Sequence, residues 1–391
     1  MSAKPRTDVA IGRLGWHEAR AAAFAAASPL PSERVDLADA IGRVLAEDVR
    51  ALHDVPHYAS SAMDGWAVSG DGPWTIVPGS SLREGTAAAI VTGGLIPGGT
   101  SGVLRRENAI VDRGVLTTES DEPWPGQHIR LPGREALRDE RVVSLGVTVN
   151  PAHVALAAGC GCDWLEVLAR PRVSFVFTGD EVVEHGIPAA GMVRDSFGPQ
   201  LPALLRMFGA EPTSSRRVRD SLADTVAAIS HDPLSSELVV TTGGTGDSAV
   251  DHVGPALEEL DALMIIDGIA LRPGGPTMLA RLPDGRYVVS LPGNPLAAIM
   301  GVLTVVEPFV AALAGRAASP LGHAVCADDL HARGGSSVLM PYRLLHGVAV
   351  VDAWQGSAMM RGLAQADGVL VVPADGAKKG DVVETVALPW S

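Results

Sequence analysis

Cysteine is nearly missing from this chain of 391 residues: there are three, Cys160, Cys162 and Cys326, an odd number with no C-x-x-C pair. This argues against a disulfide framework and a structural zinc site, and it fits a reducing cytoplasm. The two thiols of "CGC" are either a small chelate or plain core residues. Aromatic residues are scarce, 4% beside a hydrophobic content of 47%, so the cores are packed from Ala, Val and Leu and a disordered chain is excluded. Basic residues are outnumbered, 31 against 45 acidic, for a net charge of −14. Nucleic acid and anionic membrane are thereby set aside as main partners, because there is no basic surplus to meet them. A small anionic substrate needs only a local cluster of donors. The sequence also lacks a clean apolar run of the ~20 residues that a membrane span needs. Its longest, "PLAAIMGVLTVVEPFVAALAG", is interrupted by Glu307 and Pro308 and reads as a buried helix with a break. The N-terminus has no signal-peptide core, so a soluble protein is expected. There is no GxxxxGK[ST], no GxGxxG after a strand, no GxSxG and no paired-histidine spacing, which removes the P-loop, dinucleotide, serine-hydrolase and histidine-zinc signatures.

What is present is a change of texture along the chain. Residues 17–50 read as helical: an Ala-rich run to Ser28, a break with proline, then "DLADAIGRVLAEDV" with apolar spacing of three and four. From 51 to 130, Gly, Pro and Thr punctuate short runs such as "WTIVPG" and "AIVDRGVLTT", the pattern of a small β-rich domain. Residues 147–165 return to helix. From 171 to 316 strand and helix alternate, with "SSRRV" a poor strand candidate; this predicts an α/β domain with a doubly wound, mostly parallel sheet. Residues 317–391 are again β-rich.

In such a sheet, ligands bind beyond the C-terminal ends of the strands, near the switch in strand order. Three strands end in unusual loops. "RVSFVF" runs into Thr178, Gly179, Asp180 and Glu181; "ELVV" runs into "TTGGTGD" with Thr242, Gly243 and Gly244; "RYVVS" runs into "LPGNP" with Pro292, Gly293, Asn294 and Pro295. Each offers backbone N–H groups ahead of an expected helix, whose N-terminus favours an anion. Singly, each is as well explained by a tight turn; together, with acids beside two of them, they predict an anion site. The acids are Asp180, Glu181, Asp220 and Asp251. Asp180 is either a helix cap or a site residue. Glu181 and Asp251 are the metal candidates, for Mg²⁺, which is held by carboxylates that also face phosphates. His252 reads as a loop histidine rather than a catalyst.

The motifs "SSAMDGWAV", "IVTGGLIPGG", "FTGDEVVEHG", "VVTTGG", "RPGGP", "SLPGNP" and "QGSAMMRGLAQADGVLVVPAD" occur in this order over the whole chain. The set resembles the MoeA family, the molybdopterin molybdenumtransferases. The resemblance implies an α/β multidomain protein: a helical linking domain from 1–50 with 131–170, an inserted β domain at 51–130, a central MogA-like molybdopterin-binding α/β domain at 171–316, and a C-terminal β-barrel at 317–391. It implies a cytoplasmic homodimer whose cleft lies between the α/β domain of one chain and the inserted region of the other. The implied reaction inserts molybdate into adenylylated molybdopterin, with Mg²⁺ assisting cleavage of the phosphoanhydride and AMP leaving. By position, the resemblance assigns catalytic roles to Asp64, Thr92, Glu181, Asp220, Asp251 and Arg272. It assigns substrate contacts to the three loops and to Ser196, Pro273 and Gly274. The alternative it leaves open is a non-catalytic paralogue that binds molybdopterin or finished cofactor, as a carrier or assembly partner of a molybdoenzyme or of another cofactor-biosynthesis protein.

The sequence also departs from the family pattern; the cation lost at Gly275 supports that alternative, and the retention of Asp64, Glu181, Asp220 and Asp251 argues against it. "KPGKP" becomes "RPGGP", so that Arg272 keeps a charge and offers a rigid fork while Gly275 removes a cation. Asp247 adds a negative charge to the glycine loop, and Glu135 and Ala297 stand where the family usually has aspartate and often serine. Each lost cation is expected to weaken the meeting of two anions by about 1–3 kcal/mol.

Overall fold

The computed structural model describes residues 13–231, 236–244, 251–332 and 334–391. Asp247 lies outside the described residues. The chain forms two compact units: one comprises Glu33–Val167, the other the residues before and after that stretch. The insertion leaves and rejoins its host at one place, where the Ala169 N–H donates to the Pro31 carbonyl at 3.0 Å.

The host unit carries the α/β domain. Its helices are α1 (Trp16–Ala25), α2 (Phe197–Met207), α3 (Leu222–Ser230), α4 (Val253–Glu259) and α5 (Pro295–Leu313). Its strands are β1 (Arg172–Phe177), β2 (Glu211–Arg217), β3 (Leu238–Thr242), β4 (Leu263–Asp267), β5 (Met278–Arg281) and β6 (Tyr287–Leu291). They form one sheet in the order β2-β1-β3-β6-β5-β4. β2, β1, β3 and β6 run parallel and the last two pairings are antiparallel. The chain steps outward from β1 to β2 and then returns past β1 to β3, which puts the switch in strand order between β1 and β3. β1, β3 and β6 are almost wholly buried apolar runs, as strands covered on both faces must be. β2 is the "SSRRV" segment that looked a poor candidate. It is an edge strand with no fully buried residue, so it needs no apolar run.

α5 is fully buried and is the one described helix long and apolar enough to cross a membrane. The expected break at Glu307 and Pro308 is a widened π turn over Val302–Val306. It accommodates a proline whose ring and missing N–H cannot continue a regular α-helix. α1 packs on this turn, with Trp16 Nε1 donating to Thr304 Oγ1 at 3.0 Å. Beyond α5, β7 (Gly322–Val325), β8 (Ser337–Leu345), β9 (Val348–Val351), β10 (Gly368–Val372) and β11 (Val382–Val386) form the C-terminal sheet. A bridge between Cys326 and Ala349 curls it into a barrel, and Leu271–Arg272 adds to the edge of β8.

The inserted unit centres on a six-stranded sheet that includes Gly65–Ser69, Thr86–Ile90 and Gly102–Arg105. A helix at Pro151–Gly159 is capped by Asn150, which accepts from the His153 N–H at 2.9 Å. "DLADAIGRVLAEDV" is not the expected helix. Only Leu37–Ala40 makes a turn of 3-10 helix; Gly42 then takes φ +79°, and Val44 and Leu45 bridge to Thr148 and Val167. Pairing with distant residues overrides the local apolar spacing.

Candidate active site

The loops after β1, β3 and β6 converge on a cleft of about 660 Å³ at the C-terminal edge of the sheet. Its wall includes Thr178, Gly179, Glu181, Ser196, Asp220, Thr242, Gly243, Gly244, Asp251, Pro292, Gly293, Asn294 and Pro295. Sequence reasoning named all of these. Asp180 and His252 are not on the wall, and neither are Arg272, Pro273 and Gly274; Pro276 is.

The three loops are stitched together at their base. Thr178 donates through its hydroxyl to the Thr242 carbonyl at 2.9 Å, and Gly243 N–H donates to the Leu291 carbonyl at 3.0 Å. Gly243 has φ +83°, and a Cβ there would stand 2.6 Å from Thr178 Oγ1, so this close approach requires glycine. The Thr242 side chain is buried, and its hydroxyl has no hydrogen-bond partner among the described residues. A buried polar group in that state suits a ligand atom.

The expectation that every loop leads into a helix fails at "TGDE". That loop enters a short strand, Val182–Val183, paired with Val193–Arg194, and α2 starts only at Phe197. Asp180 therefore caps no helix. Its N–H and that of Gly179 are held at 3.1 and 2.9 Å by the two oxygens of Asp220. Nor is the N-terminus of α2 open to a ligand. Asp195, which sequence reasoning missed, accepts from the Phe197 and Gly198 N–H groups at 2.9 and 3.1 Å, and its other oxygen meets Arg217 at 2.6 Å. The signal was an Asp just ahead of the helix start in "RDSF".

Of the four acids on the wall, Asp220 and Asp195 thus hold backbone, whereas Glu181 and Asp251 face the cleft from separate loops. The glycine Cα–H of Gly179 lies under the Glu181 carboxylate, 3.2 Å from where a Cβ would be. α5 points its N-terminus at the cleft, and Asn294 makes no side-chain cap there. The partial positive charge of a long helix is therefore directed at the space between the acids. Ala358, from the segment between β9 and β10, completes the wall; the preceding Ser357 carbonyl accepts from the Ala297 N–H at 3.1 Å.

Arg272 lies instead against the C-terminal sheet, in the strand paired with β8. Gly275 sits in a tight corner: a Cβ there would meet the Leu271 carbonyl oxygen at 2.8 Å. In the inserted unit, Asp64 and Thr92 meet each other. The Thr92 N–H and hydroxyl both donate to Asp64 Oδ1, at 2.7 and 2.8 Å. These bonds, backbone first, hold the Asp64 carboxyl below its ordinary value of 3.8. Glu135 lines a separate hollow of that unit with Arg130 and Arg134. Cys160 is buried, and burial raises the pKa of both it and Cys162.

Three family models match in chain order: the MoeA N-terminal region (domain I and II) over residues 14–161, "Probable molybdopterin binding domain" over 174–312, and the MoeA C-terminal region (domain IV) over 323–388. The molybdopterin molybdenumtransferase of a Nostoc species is 31% identical over 310 residues, 73% of this chain and 70% of that protein. The chain belongs to the MoeA family of molybdopterin molybdenumtransferases. The Synechococcus elongatus enzyme of the same name is 29% identical over 88% of this chain and 91% of its own length. The crystal structure of the MoeA molybdopterin biosynthesis protein from Pyrococcus horikoshii shares the fold, with a TM-score of 0.78, 24% sequence identity, and coverage of 96% of this chain and 99% of that one. As a MoeA-type transferase, this protein falls within molybdenum cofactor biosynthesis.

Proposed function

We propose that the cleft inserts molybdate into adenylylated molybdopterin and releases AMP, as a cytoplasmic step of cofactor synthesis. The observation that carries this proposal is the convergence of Glu181, Asp251, the unpartnered Thr242 hydroxyl and the N-terminus of α5, which has no side-chain cap from Asn294, on one cleft. The helix end draws phosphate oxygens, Thr242 hydrogen-bonds the bound pterin nucleotide, and Asp220 holds the loop that carries Glu181 in place.

Mg²⁺ fits the donor set. No group of three His, Cys, Asp or Glu among the described residues could hold a metal, so Glu181 and Asp251 would be its protein ligands and phosphate and water would supply the remaining oxygens. When bound, the ion supplies charge neutralisation to the phosphoanhydride. The homodimer that the family resemblance implies is part of the same proposal, with Asp64 and Thr92 serving the cleft of a second copy.

The test is incubation of purified protein with adenylylated molybdopterin, molybdate and Mg²⁺, following AMP release and metal incorporation together. Tight binding without AMP release would overturn the transferase step. It would favour the carrier, a reading supported by position 275, where glycine supplies no cation and a side chain has no room.

A further inference from the structure

A second hollow of about 260 Å³ adjoins the cleft and shares Gly244, Asp251 and Pro276 with it. Its remaining charged lining is Glu258, Asp267 and a single cation, Arg13. Arg13 is anchored by the residues that follow it. The next residue, Leu14, bridges in parallel to Ile269, and its carbonyl accepts from the Ala270 N–H at 2.8 Å. Two residues further on, Trp16 is buried. The Arg13 side chain lies on the corner formed by Gly268, where a Cβ would stand 3.2 Å from Arg13 Nε and 3.3 Å from the Gly275 carbonyl oxygen. Gly268 has φ +75°, so the corner is shaped for glycine and leaves its face to the arginine. Arg13 makes no ion pair with any described residue.

We propose that Arg13 is an anion-binding residue of this site, the cation that lets a polyanionic substrate approach the wall at Asp251. The inference rests on the proposed reaction. The substrate carries phosphate and must meet an oxyanion, yet without Arg13 the adjoining hollow would present three carboxylates and no cation. The neighbouring glycine corner cannot supply one, because Gly275 has no room for a side chain. A positive charge in the same hollow as the shared wall, in a partly solvated setting, changes the affinity of a polyanion by about five- to tenfold. Arginine keeps that charge at every working pH.

The experiment compares the full chain with Arg13→Ala and Arg13→Lys. Thermal unfolding comes first, to show that each variant folds. Arg13→Ala is expected to raise KM for adenylylated molybdopterin about five- to tenfold and to leave kcat within about twofold. The penalty shrinks as salt is added, as screening requires. Arg13→Lys recovers most of the loss. An unchanged KM in Arg13→Ala overturns the proposal, and so does a Lys variant as impaired as the Ala variant, since the side chain would then act by packing on Gly268. Equilibrium binding of the same nucleotide, measured without turnover, separates this result from the fate of the proposed reaction. If the native chain binds but releases no AMP, the transferase step fails, and the Ala–Lys contrast in Kd still decides the role of Arg13.

Discussion

Asp195 stands between Arg217 and the first turn of α2, giving one carboxylate oxygen to the guanidinium at 2.6 Å and the other to the Phe197 and Gly198 N–H groups. Both side chains are largely buried. Removing the Asp195 charge leaves Arg217 with the more distant and exposed Glu184, 3.5 Å away, a weaker partner for a largely buried cation. Asp195→Asn keeps an oxygen for the helix but loses the ionic bond, and it is expected to lower stability by about 2–3 kcal/mol. Asp195→Ala loses the cap as well and should fall further. Denaturant midpoints at constant slope measure both.

Asp220 predicts a graded effect. Asparagine retains one acceptor for the two N–H groups of the "TGDE" loop, and alanine retains none. Turnover is expected to fall about tenfold in Asp220→Asn and by two orders of magnitude or more in Asp220→Ala. Equal losses in the two variants would mean that the carboxylate charge itself, rather than its grip on the loop, is what the reaction uses.

Gly275→Lys restores the cation of the family pattern but introduces a Cβ 2.8 Å from the Leu271 carbonyl oxygen. The expected outcome is a loss of about 1–3 kcal/mol in stability and no gain in rate. A faster enzyme with an unchanged melting temperature would contradict this.

Asp64 gives a prediction in pH. Its folded-state pKa is held below 3.8, chiefly by the Thr92 backbone N–H and then by the Thr92 hydroxyl. A depressed carboxyl contributes stability that is present above the unfolded value and is lost as pH falls through the folded one. The carboxylate is therefore ionised throughout the neutral range, and any loss is confined to acid below the ordinary value. Thr92→Val removes the hydroxyl bond and keeps the N–H, so the Asp64 titration followed by NMR should move part of the way back toward 3.8.

The proposed homodimer can be tested by mixing. Asp64→Ala and Glu181→Ala, each inactive alone, should regain activity when co-refolded, because some mixed dimers then hold one cleft with both acids intact. No recovery from a mixture shown to contain mixed dimers would place the two residues in the service of the same copy.

The parts of the site that are legible in the sequence are those made locally. β1, β3 and β6 are apolar runs that end in glycine, and the thirteen wall residues inferred from their loops and from the family resemblance all meet at one edge. What escapes is set by pairing across the chain. β2 is polar because it is an edge. Residues 36–49 have helical spacing, but Val44 and Leu45 find partners near residues 148 and 167. Asp220 is a catalytic candidate by family resemblance, and that it also holds two N–H groups is visible only in three dimensions. Arg13 carries no motif, and only the pairing of Leu14 with Ile269 brings it to the hollow.

The hydrogen bond from Ala169 to Pro31 closes the host unit across the place where Glu33–Val167 departs. No strand of the inserted unit enters the α/β sheet. The host therefore has a ready-made splice point: a linker of a few residues joining Ser32 to Leu168 would bypass the whole inserted unit without cutting the sheet or the cleft it supports. A truncated protein of that kind would keep the cleft wall and lose Asp64 and Thr92 in a single step, so one gene edit would separate the wall proposed to bind the nucleotide from the two residues proposed to serve a second copy.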